Sequence, residues 1–172
     1  LHSFPTVLHA RASFSFDLNT LSLQKALFSA LSSLRATSLP QEITVADRDG
    51  YERGRLEFEI GIGNGEGFDI LDSKEEQRLL ERVENRAPFD MIDVIFHLHY
   101  KIEDGRGHKP HEDHYLMRLV FQAGMFEVLI HHVKGIKRVD PGELVKLILG
   151  ELNSELGRAG LAGLNLESVD ST

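Results

Sequence analysis

Tyr115-Leu116-Met117-Arg118-Leu119-Val120-Phe121-Gln122-Ala123-Gly124-Met125-Phe126-Glu127-Val128-Leu129-Ile130-His131-His132 is the stretch on which the fold turns. Large apolar or aromatic residues recur at every second position on both sides of Ala123-Gly124. A period of two is that of a strand with one buried face. A two-residue loop at Ala123-Gly124 sets Tyr115, Met117, Leu119 and Phe121 opposite His132, Ile130, Val128 and Phe126. One register thus satisfies the apolar sets of both strands, so turn chemistry and pattern agree.

The same alternation extends upstream, where Ile92, Val94, Phe96, Leu98, Tyr100 and Ile102 form one face of a long strand. Downstream, Asp140-Pro141-Gly142-Glu143 combines an acidic cap with proline at the first helical position. Leu144, Val145, Ile148, Leu149, Leu152 and Leu156 then make a broad helical stripe that Gly157 or Gly160 ends.

In the first half, residues 6–18 alternate as a strand, and residues 21–36 carry Leu23, Leu27, Leu31 and Leu34 at helical spacing behind a cap at Asn19 or Thr20. Pro40 closes that unit. Residues 42–48 and 51–62 flank Asp49-Gly50, a dipeptide suited to a tight hairpin turn that pairs Arg48 with Tyr51 and Ile43 with Leu56. A glycine-rich run over 61–67 leads to a peripheral helix, where Ser73-Lys74-Glu75-Glu76 has capping-box spacing and Pro88 follows the end.

These elements predict an α+β fold in the order β-α-β-β-α-β-β-β-α. The expectation is a mostly antiparallel sheet of about six strands, with helices mainly on one face. The first six elements match a ferredoxin-like split βαβ with an added hairpin and C-terminal helix. A hotdog-like sheet wrapped round a central helix is the alternative. Residues 1–160 read as one domain and 161–172 as a loose tail.

Composition limits the function classes. A chain of 172 residues is long enough to bury a core without covalent staples. It contains no cysteine, which excludes disulfides, thiolate metal sites and cysteine nucleophiles, and fits a reducing compartment. The net charge of −8 disfavours general nucleic-acid binding. No apolar run reaches the length of a bilayer span, and the N-terminus lacks signal-peptide features and an initiator methionine. The expectation is a cytoplasmic protein whose N-terminus is trimmed, with no membrane association.

Nine histidines, seven of them between positions 97 and 132, are the most unusual feature. His97 and His99 point to the same side of their strand, and alternation puts Arg118, Glu127 and His131 on that side too. Two imidazoles at i and i+2 can grip one divalent metal, zinc foremost, with His111 or His114 as a third ligand from the following loop. Glu112 would then act as general base, with Asp113 a further ligand or outer partner, and Arg118 would orient an anionic substrate. Ordinary solvated sheet residues, or a pH-responsive surface, are the competing readings.

Other signals are weaker. Gly61-x-Gly63-x-x-Glu66 departs from the dinucleotide fingerprint, and the acids around it would repel phosphate. The basic run from His131 to Arg138 could grip a phosphate but lacks aromatics for stacking bases. No Gly-x-Ser-x-Gly elbow is present.

Three functions therefore stand. The first, slightly favoured, is a non-catalytic binding or assembly module that self-associates or meets a protein partner. The second is a metal-dependent hydrolase or lyase. The third is phosphate or RNA recognition through Lys134, Lys137 and Arg138.

Overall fold

Burial alternates along every central strand, and the buried set always faces the helices. The computed structural model describes residues 4–36, 38–44, 51–102 and 111–171. Its elements are β1 (Ala10–Ser15), α1 (Thr20–Ala36), β2 (Ser38–Thr44), β3 (Tyr51–Gly63), β4 (Phe68–Ile70), α2 (Ser73–Asn85), β5 (Met91–Ile102), β6 (His111–Gln122), β7 (Met125–Lys134), α3 (Pro141–Arg158) and β8 (Asn165–Ser171). The strands form one antiparallel sheet in the order β2-β3-β5-β6-β7-β1-β8, with β4 folded back on β3.

The protein is thus α+β with its helices on one face. The β6–β7 hairpin turns at Ala123-Gly124 with Gly124 at φ 73°, and Tyr115, Met117, Leu119 and Phe121 lie opposite His132, Ile130, Val128 and Phe126. Phe96, Leu98, Tyr115, Met117, Val128 and Ile130 supply the middle of the buried sheet face. Against them α1 contributes Leu23, Leu27, Phe28, Leu31 and Leu34, all 1% exposed or less, so the core lies between sheet and helical layer. Within that layer α1 touches both α3 and α2.

Strand order departs from a ferredoxin-like split. That topology would seat β1 between β3 and the strand after α2. Here β3 pairs β5 directly, and β1 lies between β7 and β8. Alternation decides which face a strand buries and leaves its neighbour open, so periodicity alone does not choose between the two orders.

Residues 161–172 are not a loose tail throughout, because β8 pairs β1 from Ala10↔Ser171 to Ser15↔Asn165. Its side chains are largely exposed on both faces, which removes the apolar alternation that would mark a strand.

The β2–β3 hairpin also differs. Ile43 lies opposite Glu52 rather than Leu56, and Thr44 opposite Tyr51. A register shift by an even number of residues preserves alternation, so the apolar pattern is blind to it. Asp49-Gly50 falls outside the described residues. Pro40 lies within β2 rather than ahead of it, as an edge strand tolerates.

Helix starts follow local chemistry. Asn19 accepts from Ser22 N at 2.7 Å, and Asp140 caps α3 by accepting from Gly142 N at 2.9 Å. In α2 the cap is Asp72, accepting from Glu75 N at 2.8 Å, one residue ahead of the expected Ser73. Either residue can cap, and capping-box spacing alone does not choose between them.

Two substitutions separate core packing from helix propensity. Leu31→Ala should cost about 2–5 kcal/mol, because Leu31 is fully buried in the core and its removal leaves a void. A Cβ at Gly150 in α3 meets nothing within 4 Å, so Gly150→Ala should gain about 0.5–1 kcal/mol. Urea denaturation midpoints report both signs.

Candidate functional site

Strand register brings two groups of polar side chains together, one on each side of the sheet. On the open face His97 lies opposite His114 and Glu59, and His99 lies opposite Glu112 and Glu57. The His97 and His114 rings stack at 4.0 Å with 17° between planes. His99 sits between two carboxylates, with Nε2 3.5 Å from Glu59 and Nδ1 3.9 Å from Glu112. His114 Nε2 lies 3.1 Å from Glu112.

Burial, then the neighbouring His114, lowers the His97 pKa. The hydrogen bond with His114 holds the Glu112 carboxyl below its ordinary range, which makes it a poorer base. Ring-nitrogen lone pairs lie in the ring plane, so two near-parallel stacked imidazoles do not converge on one ion. Among the described residues no group of three or more His, Asp or Glu side chains is arranged to hold a metal.

The structure therefore gathers His97, His99, Glu112 and His114 in one patch. The side chain of His111 and the loop residues 103–110 lie outside the described residues. Arg118 is four residues along β6 from His114, roughly 13 Å away. Its guanidinium is held by Asp93 through Nε at 2.8 Å and Nη2 at 3.0 Å, and Phe4 lies over it at 5.0 Å. His131 binds the Val7 carbonyl at 2.7 Å and is separate from the patch.

The second group is on the helical side. Asp113 continues the buried period of β6, two residues before Tyr115, and is 0% exposed. Its carboxylate accepts from Tyr100 Oη at 2.7 Å, His132 Nε2 at 2.8 Å, Lys137 N at 2.8 Å and Arg138 N at 3.0 Å. Burial alone would raise the Asp113 pKa. The hydrogen bonds from His132, Tyr100 and the two backbone amides outweigh it, and the carboxyl lies below its ordinary value.

Around this carboxylate the connection from β7 to α3 is tied down. Tyr100 Oη accepts from Val139 N at 3.2 Å, and Tyr115 Oη donates to Val139 O. Burial raises the pKa of both phenols, so both remain neutral donors. Gly135, at φ +112°, passes so close that a Cβ would overlap the Asp113 carboxylate and the Glu112 carbonyl. Lys137, at φ 55°, is the one described non-glycine residue in the left-handed region. Backbone strain of that kind persists only where the surroundings enforce it.

This scaffold presents Arg138. Its guanidinium carbon lies 5.7 Å from the Tyr100 ring centroid, within cation–π range. Among the described residues Nε and Nη1 are buried without a hydrogen-bond partner. His9 joins the group through its Nδ1, which accepts from His132 N at 2.9 Å. Burial first, then Lys137, lowers the His9 pKa.

Tyr100, His9 and the burial of Asp113 were not expected as site features. For Asp113 the signal was present, since an acid occupies a core-face position in the alternation of β6. No protein-family model, curated protein or solved structure matches the chain.

The Asp113 network has a defined pH signature. A carboxyl whose folded-state pKa is depressed stabilises the fold above its ordinary range, and that contribution is lost as pH falls through the folded value. Asp113→Asn should therefore be less stable than the parent at pH 7 by about 2–4 kcal/mol. The gap should narrow below about pH 4. Paired denaturation curves from pH 7 to pH 2 measure it, and a constant gap would mean Asp113 is not ionised.

Proposed function

We propose that the protein is a binding module that recognises a compact oxyanion, phosphate or carboxylate, at the junction of β7 and α3. The observation that supports this is Arg138, whose Nε and Nη1 are buried without a partner. A buried donor left unpaired costs about 1–3 kcal/mol, and Arg138 is the one guanidinium among the described residues with two such nitrogens, which favours an acceptor supplied by a ligand. Guanidinium is the side chain best matched to planar or tetrahedral oxyanions.

The arm is held in place, because Asp113 grips the backbone amides of Lys137 and Arg138 and Tyr100 lies beneath the guanidinium. Preorganisation of this kind lowers the entropic cost of binding. The N-terminus of α3 is not the anion seat, since Asp140 already caps it. The net charge of −8 disfavours a long polyanion such as RNA and leaves a small anion or a single anionic group as the fitting ligand.

Orthophosphate and acetate, titrated at low ionic strength and followed by calorimetry and melting temperature, test the reading. Saturable binding that weakens with added salt, and that Arg138→Met reduces at least tenfold, is the expected result. Unchanged melting with both anions, or a variant that binds as well as the parent, would remove the proposal.

Self-association is a second reading, supported by the outer edge of β8. The other edge is broken by Pro40 in β2, whereas β8 carries neither proline nor lysine and leaves Leu166 48% exposed. Such an edge invites pairing with a second copy. Sedimentation should then show a dimer that Leu166→Lys dissociates, and a strict monomer at high concentration would exclude it.

A further inference from the structure

A cavity of about 200 Å³ opens at the far end of β5 from Arg138, where Phe28, Phe89, Met91 and Ile92 meet Gly63 and Gly65. Asp93, also in its lining, is seven residues along β5 from Tyr100, roughly 23 Å away, so this is a separate place on the molecule.

Its walls are fixed by specific contacts. Gln24 is 0% exposed and spends both ends of its amide on one residue: Nε2 donates to Phe89 O at 2.7 Å, and Oε1 accepts from Phe89 N at 2.9 Å. Phe89 is further held by Arg82, whose guanidinium carbon lies 4.0 Å from the ring centroid, and by Phe28, edge-on at 6.2 Å. A buried glutamine devoted to one loop residue fixes that ring as a wall.

The glycines keep another part of the lining free of side chains. A Cβ at Gly63 would press on Asp93 at 3.2–3.3 Å, and Gly65 stands at φ +95°, where side chains are strained. Residues 64–67 therefore form a tight turn from β3 into β4, closed by Asn64 accepting from Glu66 N and Gly67 N. It leaves open space instead of cradling phosphate.

We infer that this cavity binds a small, uncharged, planar aromatic ligand of one ring or two fused rings. Size supports the class, since an apolar cavity of about 150 Å³ is enough to take up benzene. Chemistry supports it too. Phe89, half-buried, lines the cavity with its ring backed by the fully buried Phe28, and Met91, 45% exposed, supplies an adaptable thioether. The one carboxylate in the lining, Asp93, is already matched by the bidentate Arg118, so it offers no spare charge to attract a cation.

Indole is a suitable probe because the chain has no tryptophan, leaving indole emission readable against the tyrosine background. Titration into the full chain should give saturable one-to-one binding, by emission shift and by calorimetry. Phe89→Leu and Phe28→Leu should each weaken it about two- to tenfold, the ring-packing contribution, with circular dichroism confirming that each variant folds. Should Phe28→Leu fail to fold, Phe89→Leu alone carries the test, as Phe89 is only half-buried. In the Arg138→Met variant, which lacks the anion-binding guanidinium proposed above, benzoate, similar in size but charged, should bind at least tenfold more weakly than indole. Linear uptake without saturation, equal affinity in the folded phenylalanine variants, or benzoate binding Arg138→Met as tightly as indole does would each overturn the assignment.

Discussion

The carboxylate of Asp113 is the contact on which the arrangement of this protein turns. It lies in β6 yet holds β5 through Tyr100, β7 through His132, and the approach to α3 through the amides of Lys137 and Arg138. Four donors on a buried anion offset the cost of taking it out of water, and they do so only if each strand and the connection keep their relative positions. Tyr115 and Tyr100 add the two bonds to Val139 that set where the chain enters α3. Sheet and helical layer are thereby coupled at this point by directional bonds, as they are again where Gln24 of α1 grips Phe89, alongside extensive non-directional apolar packing.

That coupling explains the unusual backbone beside it. Gly135 and Lys137 both have positive φ, one because no side chain fits against Asp113 and the other because its amide is drawn to the same carboxylate. Arg138 is the next residue, and its guanidinium is set over Tyr100 by the same constraint. A strained connection, a buried anion and a guanidinium packed on Tyr100 thus form one construction. The Asp113 carboxylate is consumed by its four donors and makes no ion pair with the Arg138 guanidinium among the described residues.

The open face of the sheet works differently. Helices cover only one side, so among the described residues His97, His99, Glu59, Glu112 and His114 meet chiefly their cross-strand neighbours. Their contacts are a ring stack and histidine–carboxylate contacts at 3.1–4.0 Å between partly exposed groups. Contacts of this kind contribute little each and change with salt and protonation. The deep contacts at Asp113 and Gln24 are the ones that shape cavities and fix side chains.

Much of the architecture was determined by sequence alone. Period-two runs defined the buried faces of β5, β6 and β7, Ala123-Gly124 set their hairpin register, and Asp140-Pro141 set the start of α3, because these depend on residues near one another in the chain. The acid at position 113 could be read as a core-face residue by the same counting. Only the tertiary structure decided that β1 lies beside β7, that β8 closes the sheet, and that the β2–β3 register runs four residues from the turn-based expectation. Alternation is unchanged by neighbour choice or by an even shift, so local pattern carries no information on either. The same limit applies to the sites. Arg138 set over Tyr100, Gln24 spent on Phe89, and the near-parallel stack of His97 on His114 are facts of long-range geometry that no spacing in the chain encodes.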